Sequence, residues 1–274
     1  MKRDQLDSVK GEIGFVPRTS REGPTYEVSG YVNQIVSHEV SIRDARPIVD
    51  KLSLDREGFI LVNHAISSLN ESDPRVMTSK YVEEMASFLK SHFNASWVVP
   101  YAQGGLGAAI HRSADAAKVA GATRGRARVA HIDFSPKSAP VIAALSDQAN
   151  GFRSRSYSRM MLIQTWCALS PAPQDFPLAL VDGSTVVDTD IVEDCRTDPS
   201  VDIESALWLL QHSPGQHWYY FSDMKPNEFI LFKGYDSEDY GNPRSAHTAF
   251  DNRRAFPDAT PRESIETRFF VYFK

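Results

Sequence analysis

Val129-Ala130-His131-Ile132-Asp133-Phe134 reads as a β-strand that carries a metal-binding pattern. Residues two apart on a strand point to the same face, so His131 and Asp133 can serve one metal without special backbone geometry. A third donor is expected far downstream, where Ala246-His247-Thr248-Ala249 sets a histidine among small neighbours that leave room for an ion. Two imidazoles and one carboxylate make a facial ligand set, which grips Fe(II) on one side and leaves positions open for O₂ and a co-substrate. His217, just ahead of Trp218-Tyr219-Tyr220-Phe221, is the substitute if the late strand has another register. His64, His111 and His212 read as surface histidines or as residues behind the ligands.

Beyond His247 comes Arg262-Glu263-Ser264, at the start of the closing strand. The arginine fork suits the remote carboxylate of a keto-acid such as 2-oxoglutarate. Ser264 lies two residues on, faces the same way and adds a hydroxyl. Arg268 shares that face by even spacing and is the rival anchor. His-x-Asp alone arises often by chance. The ordered set of His-x-Asp, late His and Arg-x-Ser, each on a strand or its edge, gives the pattern its weight.

Around these residues the chain is rich in short apolar runs. Strands are expected at Gly58–Asn63, Trp97–Val99, Met160–Cys167, Leu178–Val181, Trp218–Phe221, Phe229–Phe232, Ala246–Phe250 and Ile265–Phe273. Helices are expected over Ser41–Leu54, Asp73–Phe93 and Pro136–Asn150, with Ile203–Leu210 as a helical insertion. Many strands with a few helices predict a mainly β chain with flanking helices (α+β) and a jelly-roll or double-sheet barrel core. A single domain over 1–274 is expected, with 1–35 as an extended arm packed on it. Gly104-Gly105-Leu106-Gly107 lacks the Gly-Lys-Ser/Thr ending of a phosphate loop and reads as a flexible loop or lid.

Composition narrows the classes. The 274 residues are 42% hydrophobic and 24% charged, ordinary globular values, and the net charge of −5 argues against a nucleic-acid partner. No apolar run approaches a membrane span, and Met1-Lys2-Arg3-Asp4 lacks the apolar core of a signal peptide. Cys167 and Cys195 make neither a disulfide framework nor a thiolate zinc site, so a reducing cytosol is expected. A small-molecule substrate is the expected partner, and an oligomer is compatible with the sequence.

His131-x-Asp133, His247 and Arg262-x-Ser264 resemble the Fe(II)/2-oxoglutarate-dependent oxygenase superfamily. Within it the chain is similar to the hydroxylase/desaturase family related to the cephalosporin 7α-methoxylation component. The matching stretches are His217–Phe221, Asn227–Ser237, His247–Phe250, Pro261–Glu266, Pro177–Leu180 with Asp182, and Arg112-Ser113. The likeness spans roughly residues 55–274 and is most specific in the C-terminal third. It implies a double-stranded β-helix core and oxidative tailoring of small molecules in secondary metabolism, by hydroxylation, desaturation or oxidative cyclisation. It places Fe(II) on His131, Asp133 and His247, and 2-oxoglutarate on Arg262.

Where the family shows Asn-x-Trp-Arg-Pro, this chain has Gln164-Thr165-Trp166-Cys167-Ala168. Gln164 joins Arg268 among the co-substrate candidates, while Cys167 stands where an arginine is expected. For the substrate, Arg112 is a candidate for a carboxylate, and Tyr101, Trp166, Tyr220 and Phe250 for an aromatic pocket. Two rival readings are a cupin-like metal enzyme that uses no keto-acid, which the missing arginine favours, and a β-barrel binding module with a degenerate site.

Overall fold

The structure is a computed structural model and describes residues 3–18, 35–101, 107–113, 129–152, 156–198, 203–238 and 245–274. In chain order, β1 (Ser8–Phe15), β2 (Val36–Asp44) and β3 (Phe59–Asn63) precede helix α1 (Pro74–His92). Strands β4 (Trp97–Pro100), β5 (Ala108–Arg112) and β6 (His131–Ile132) lead to helix α2 (Ser138–Ala149). Then come β7 (Arg159–Ala168), β8 (Leu178–Val181), β9 (Ile191–Asp198), β10 (Ile203–Leu210), β11 (Trp218–Tyr220), β12 (Glu228–Asp236), β13 (His247–Ala249) and β14 (Glu263–Phe273).

Among the described residues these strands form two sheets. One has eight strands in the order β1-β2-β11-β8-β13-β6-β10-β9. The other runs β3-β12-β7-β14-β4, with β5 also on β14. The chain is mostly β with few helices, and its two curled sheets face each other as a jelly roll. Along β7, alternate residues divide the molecule. Met160, Leu162 and Trp166 turn to the space between the sheets, whereas Met161, Ile163 and Cys167 turn outward under α1. That is why the strand is buried along nearly its whole length.

Helix α1 starts where its chemistry says it should. The Asp73 carboxylate accepts from the backbone N–H of Arg75 and Val76, and Pro74 occupies the first turn, where no N–H is needed. Tyr81, Val82, Met85 and Leu89 form the buried stripe that covers the six-stranded sheet.

The eight-stranded sheet has a second core on its other face. Strand β1 pairs with β2, and Gly14 bridges back to Val129, so the β1–β2 pair closes over Ala130, Ile132, Ala179, Val181, Trp218, Ala246 and Phe250. Gly11 is needed there, because a Cβ would sit 2.5 Å from the Phe250 ring. Of the segment expected as an arm, residues 3–18 lie in this layer, and 19–34 fall outside the described residues.

Two expected α-helices are not α-helical. Ser41–Leu54 holds the end of β2 and then a short 3-10 turn, Arg46–Lys51, begun by Pro47. Val40 and Ile42 are buried at period two against β1, a partner some thirty residues away. Ile203–Leu210 is β10, paired with β9 and β6; a short apolar run such as Ala206–Leu210 does not distinguish helix from strand by period. The regular ladder of the His-x-Asp strand covers only His131 and Ile132. Gly104–Leu106, Ala114–Thr123 and the basic run Arg124–Arg128 lie outside the described residues.

Arg3 staples the amino-terminal layer to the barrel. It pairs with Glu57, and its NH1 donates to Asp182 Oδ2 at 2.6 Å; both carboxylates are buried. Arg3 is a third exposed, and Glu57 keeps Arg56, so the expected cost of Arg3→Ala is about 1–3 kcal/mol. Urea unfolding checks this, and an unchanged midpoint would mean the staple carries no stability.

Candidate metal centre

His131 and His247 meet because β6 and β13 pair in register, His247 directly opposite His131. Their rings lie 4.5 Å apart, centroid to centroid. Asp133, two residues after His131, completes the group: its Oδ1 is 3.7 Å from His131 Nε2 and its Oδ2 3.8 Å from His247 Nε2. One donor atom from each residue can be chosen so that all lie within 4.8 Å of one another. His217 is not part of the group.

The donors are in the chemical form a cation needs. His131 Nδ1 lies 2.7 Å from the Val129 carbonyl and His247 Nδ1 3.3 Å from that of Ser245, which assigns the proton to Nδ1 and leaves each Nε2 lone pair toward Asp133. Burial and the neighbouring His131 push His247 down to about 4, so it is neutral at physiological pH. Burial would raise the Asp133 carboxyl, but the Arg268 guanidinium beside it opposes that, and the carboxyl is held well below the usual carboxylate range. Phe232 packs edge-on against the His247 ring at 4.8 Å and fixes its plane. Two imidazoles and one carboxylate suit a divalent iron that must keep exchangeable positions.

The remaining polar groups follow at even spacing: Arg262 just before β14, then Ser264, Glu266 and Arg268 on its inner face. Arg268 Nε donates to Asp133 Oδ2 at 2.8 Å and its NH2 reaches Glu266 Oε1 at 2.7 Å. Gln164, opposite Arg268 on β7, donates to Asp133 Oδ2 at 2.5 Å. Arg262 and Ser264 touch none of the three metal-group residues. Arg262 is buried, its Nε has no partner, and burial lowers its pKa despite Asp175 and Glu266. The Ser264 hydroxyl is buried and equally unpartnered. A desolvated guanidinium beside an unused hydroxyl is what an absent carboxylate would satisfy.

A family profile described as "Oxidoreductase/YMDC permease-like domain" matches residues 14–272. The hydroxylase/desaturase efuI of Hormonema carpetanum is 31% identical over 251 residues, covering 86% of this chain and 83% of the relative. The Fe(II)/2-oxoglutarate-dependent dioxygenase nvfI of Aspergillus novofumigatus is 31% identical over 247 residues, with the same two coverages. The chain belongs to the Fe(II)/2-oxoglutarate-dependent oxygenase superfamily. A solved structure of the iron and alpha-ketoglutarate-dependent endoperoxidase NvfI superposes on this oxygenase with a TM-score of 0.74 at 26% identity, covering 97% of this chain and 98% of that one.

Other expected site residues of the oxygenase are placed elsewhere. Arg112 sits opposite Glu263 and pairs with it on the outer side of β14, not toward the metal group. Its neighbour His111 takes the inner side instead, with Nε2 3.6 Å from Glu266 Oε2. Phe250 belongs to the core under β1 and β2, on the reverse face of the sheet from His247, and Tyr220 packs edge-on against it at 5.6 Å. Trp166 and Tyr220 do line a common cavity of about 80 Å³ with Leu178, Ile230 and Phe256, but none of the metal-group residues borders it. Tyr101 stands at the barrel end beside Arg268, edge-on to Phe134.

Cys167 faces away from Gln164 and Trp166. Its thiol is buried among Tyr81, Ile163, Phe229 and Ile265, and burial pushes it up to about 12. A cysteine here therefore takes no cation out of the space that holds His131, Asp133 and His247. Sequence reading missed Glu266 and left His111 as a surface histidine or a residue behind the ligands. Glu266 was within reach, since it shares the even spacing of Arg262, Ser264 and Arg268. His111 needed the β5–β14 pairing.

Proposed function

We propose that this oxygenase oxidises a small molecule of secondary metabolism, using Fe(II), 2-oxoglutarate and O₂, by hydroxylation, desaturation or oxidative ring closure. The observation that carries the reading is the convergence of His131, Asp133 and His247, from two paired strands, within 4.8 Å. The relatives named above support the co-substrate. In this reading His131 Nε2, His247 Nε2 and the Asp133 carboxylate hold the iron. Arg262 and Ser264 take the remote carboxylate of the keto-acid, which would end their unpartnered state. When bound, the iron would activate O₂, the oxidant, with two electrons from oxidation of the keto-acid to succinate and CO₂ and two from the substrate; the protein sets orientation and excludes competing reactions.

His111, half-exposed on the inner side of β5, is the nearest candidate for meeting the substrate in place of Arg112. The rival enzyme without a keto-acid loses its main support, because position 167 lies outside the site. Two cysteines in 274 residues, too few for a disulfide framework, support a reducing cytosol, and among the described residues no helix is long and apolar enough to cross a membrane. Anaerobic titration of the purified protein with Fe(II) and then 2-oxoglutarate tests the reading. A visible charge-transfer band that needs both is expected. Metal binding without the band points to the keto-acid-free enzyme, and no metal binding to a degenerate site.

A further inference from the structure

Two donors converge on one oxygen of Asp133. Arg268 Nε and Gln164 Nε2 both reach Oδ2, at 2.8 and 2.5 Å, while Oδ1 accepts neither. The convergence is built into the sheet, since Arg268 and Gln164 are direct partners across the β7–β14 ladder. Glu266 braces the pair: its Oε1 is 2.7 Å from Arg268 NH2 and 3.3 Å from Gln164 Nε2. The backbone of β12 closes behind the amide, where a Cβ on Gly234 would stand 2.9 Å from Gln164 Oε1. Gln164 is buried and so is Glu266, so the arrangement is not a chance surface contact.

We propose that Arg268 and Gln164 are positioning residues that hold Asp133 as a one-oxygen ligand, and are not co-substrate ligands. The proposal rests on the iron reading above. A carboxylate with both oxygens free can turn and take two positions on a metal. Charging Oδ2 with a guanidinium N–H and an amide N–H stops the turn and makes Oδ1 the available donor. The positions thus spared are those a chelating keto-acid and O₂ require. Arg262 and Ser264, with unfilled hydrogen bonds, are left as the carboxylate anchor.

Fe(II) affinity, measured anaerobically by chelator competition without keto-acid, separates the two roles. Arg268→Met and Gln164→Met should each weaken Fe(II) binding by about 10–100-fold. At saturating iron, the KM for 2-oxoglutarate should change by less than about threefold. Arg268→Lys, which keeps the charge but not the Nε–H geometry, should fall between Arg268→Met and the unaltered protein. Unchanged Fe(II) affinity in both methionine variants would overturn the clamp, and a raised KM in them would make Arg268 and Gln164 co-substrate ligands. If Arg268→Met fails to fold, Gln164→Met and Arg268→Lys carry the same comparison. Failure of the unaltered protein to bind Fe(II) would instead defeat the proposed function, so the two failures are told apart.

Discussion

His131→Ala should abolish specific Fe(II) binding and, with it, turnover. The substitution removes one of three donors that meet within 4.8 Å and leaves an imidazole and a carboxylate, too few to hold a divalent iron at working concentrations. Losing an outer partner of a metal ligand costs about 10–100-fold in affinity, and losing the ligand itself should exceed that range. The fold should survive. His131 is partly exposed, and its hydrogen bond goes only to Val129 two residues away, so unfolding of the metal-free variant should match that of the unaltered protein. His217→Ala is the control and should bind iron normally, because His217 is not in the group. Turnover retained by His131→Ala at ordinary iron levels would sink the assignment.

Arg262→Ala should leave iron binding intact and raise the 2-oxoglutarate requirement. Truncating one partner of a buried charge-assisted pair costs about 2–5 kcal/mol, so the expected rise in KM is about 30-fold or more. Its effect on stability should run opposite to that of an ordinary buried ion pair. Arg262 is desolvated, and its Nε lacks a partner, so without keto-acid its removal should cost little stability. A structural role predicts the reverse: a clear drop in the unfolding midpoint and no change in KM. Arg262→Lys restores the charge without the fork and should recover only part of the affinity.

Much of this was legible in the sequence because it rests on local rules. The two-residue period placed His131 and Asp133 on one face, and the same period linked Arg262, Ser264 and Arg268. Helix α1 announced itself through Asp73-Pro74 and a buried stripe at helical spacing. What failed was decided by partners distant in the chain. Ser41–Leu54 looks helical until β1 is seen beside Val40 and Ile42. Phe250 looks like a pocket residue until Gly11 and Ile42 close over it. Arg112 and His111 differ by one position, and only the register with Glu263 and Ser264 tells which of them faces inward. Even spacing puts Arg268 on the inner face with Ser264 and Glu266, but its tie to Asp133 could not be read from spacing.

The small core beneath the β1–β2 pair has a consequence for how the iron site tolerates damage. Ala246 and Phe250 stand at the two ends of β13, the short strand that carries His247, and both belong to that core, whose lid includes residues numbered below twenty. Clipping or loosening the front of the polypeptide would thus be felt at the catalytic metal without a single ligand being touched. Affinity tags or fusions joined to that end should be judged by iron content as well as by yield.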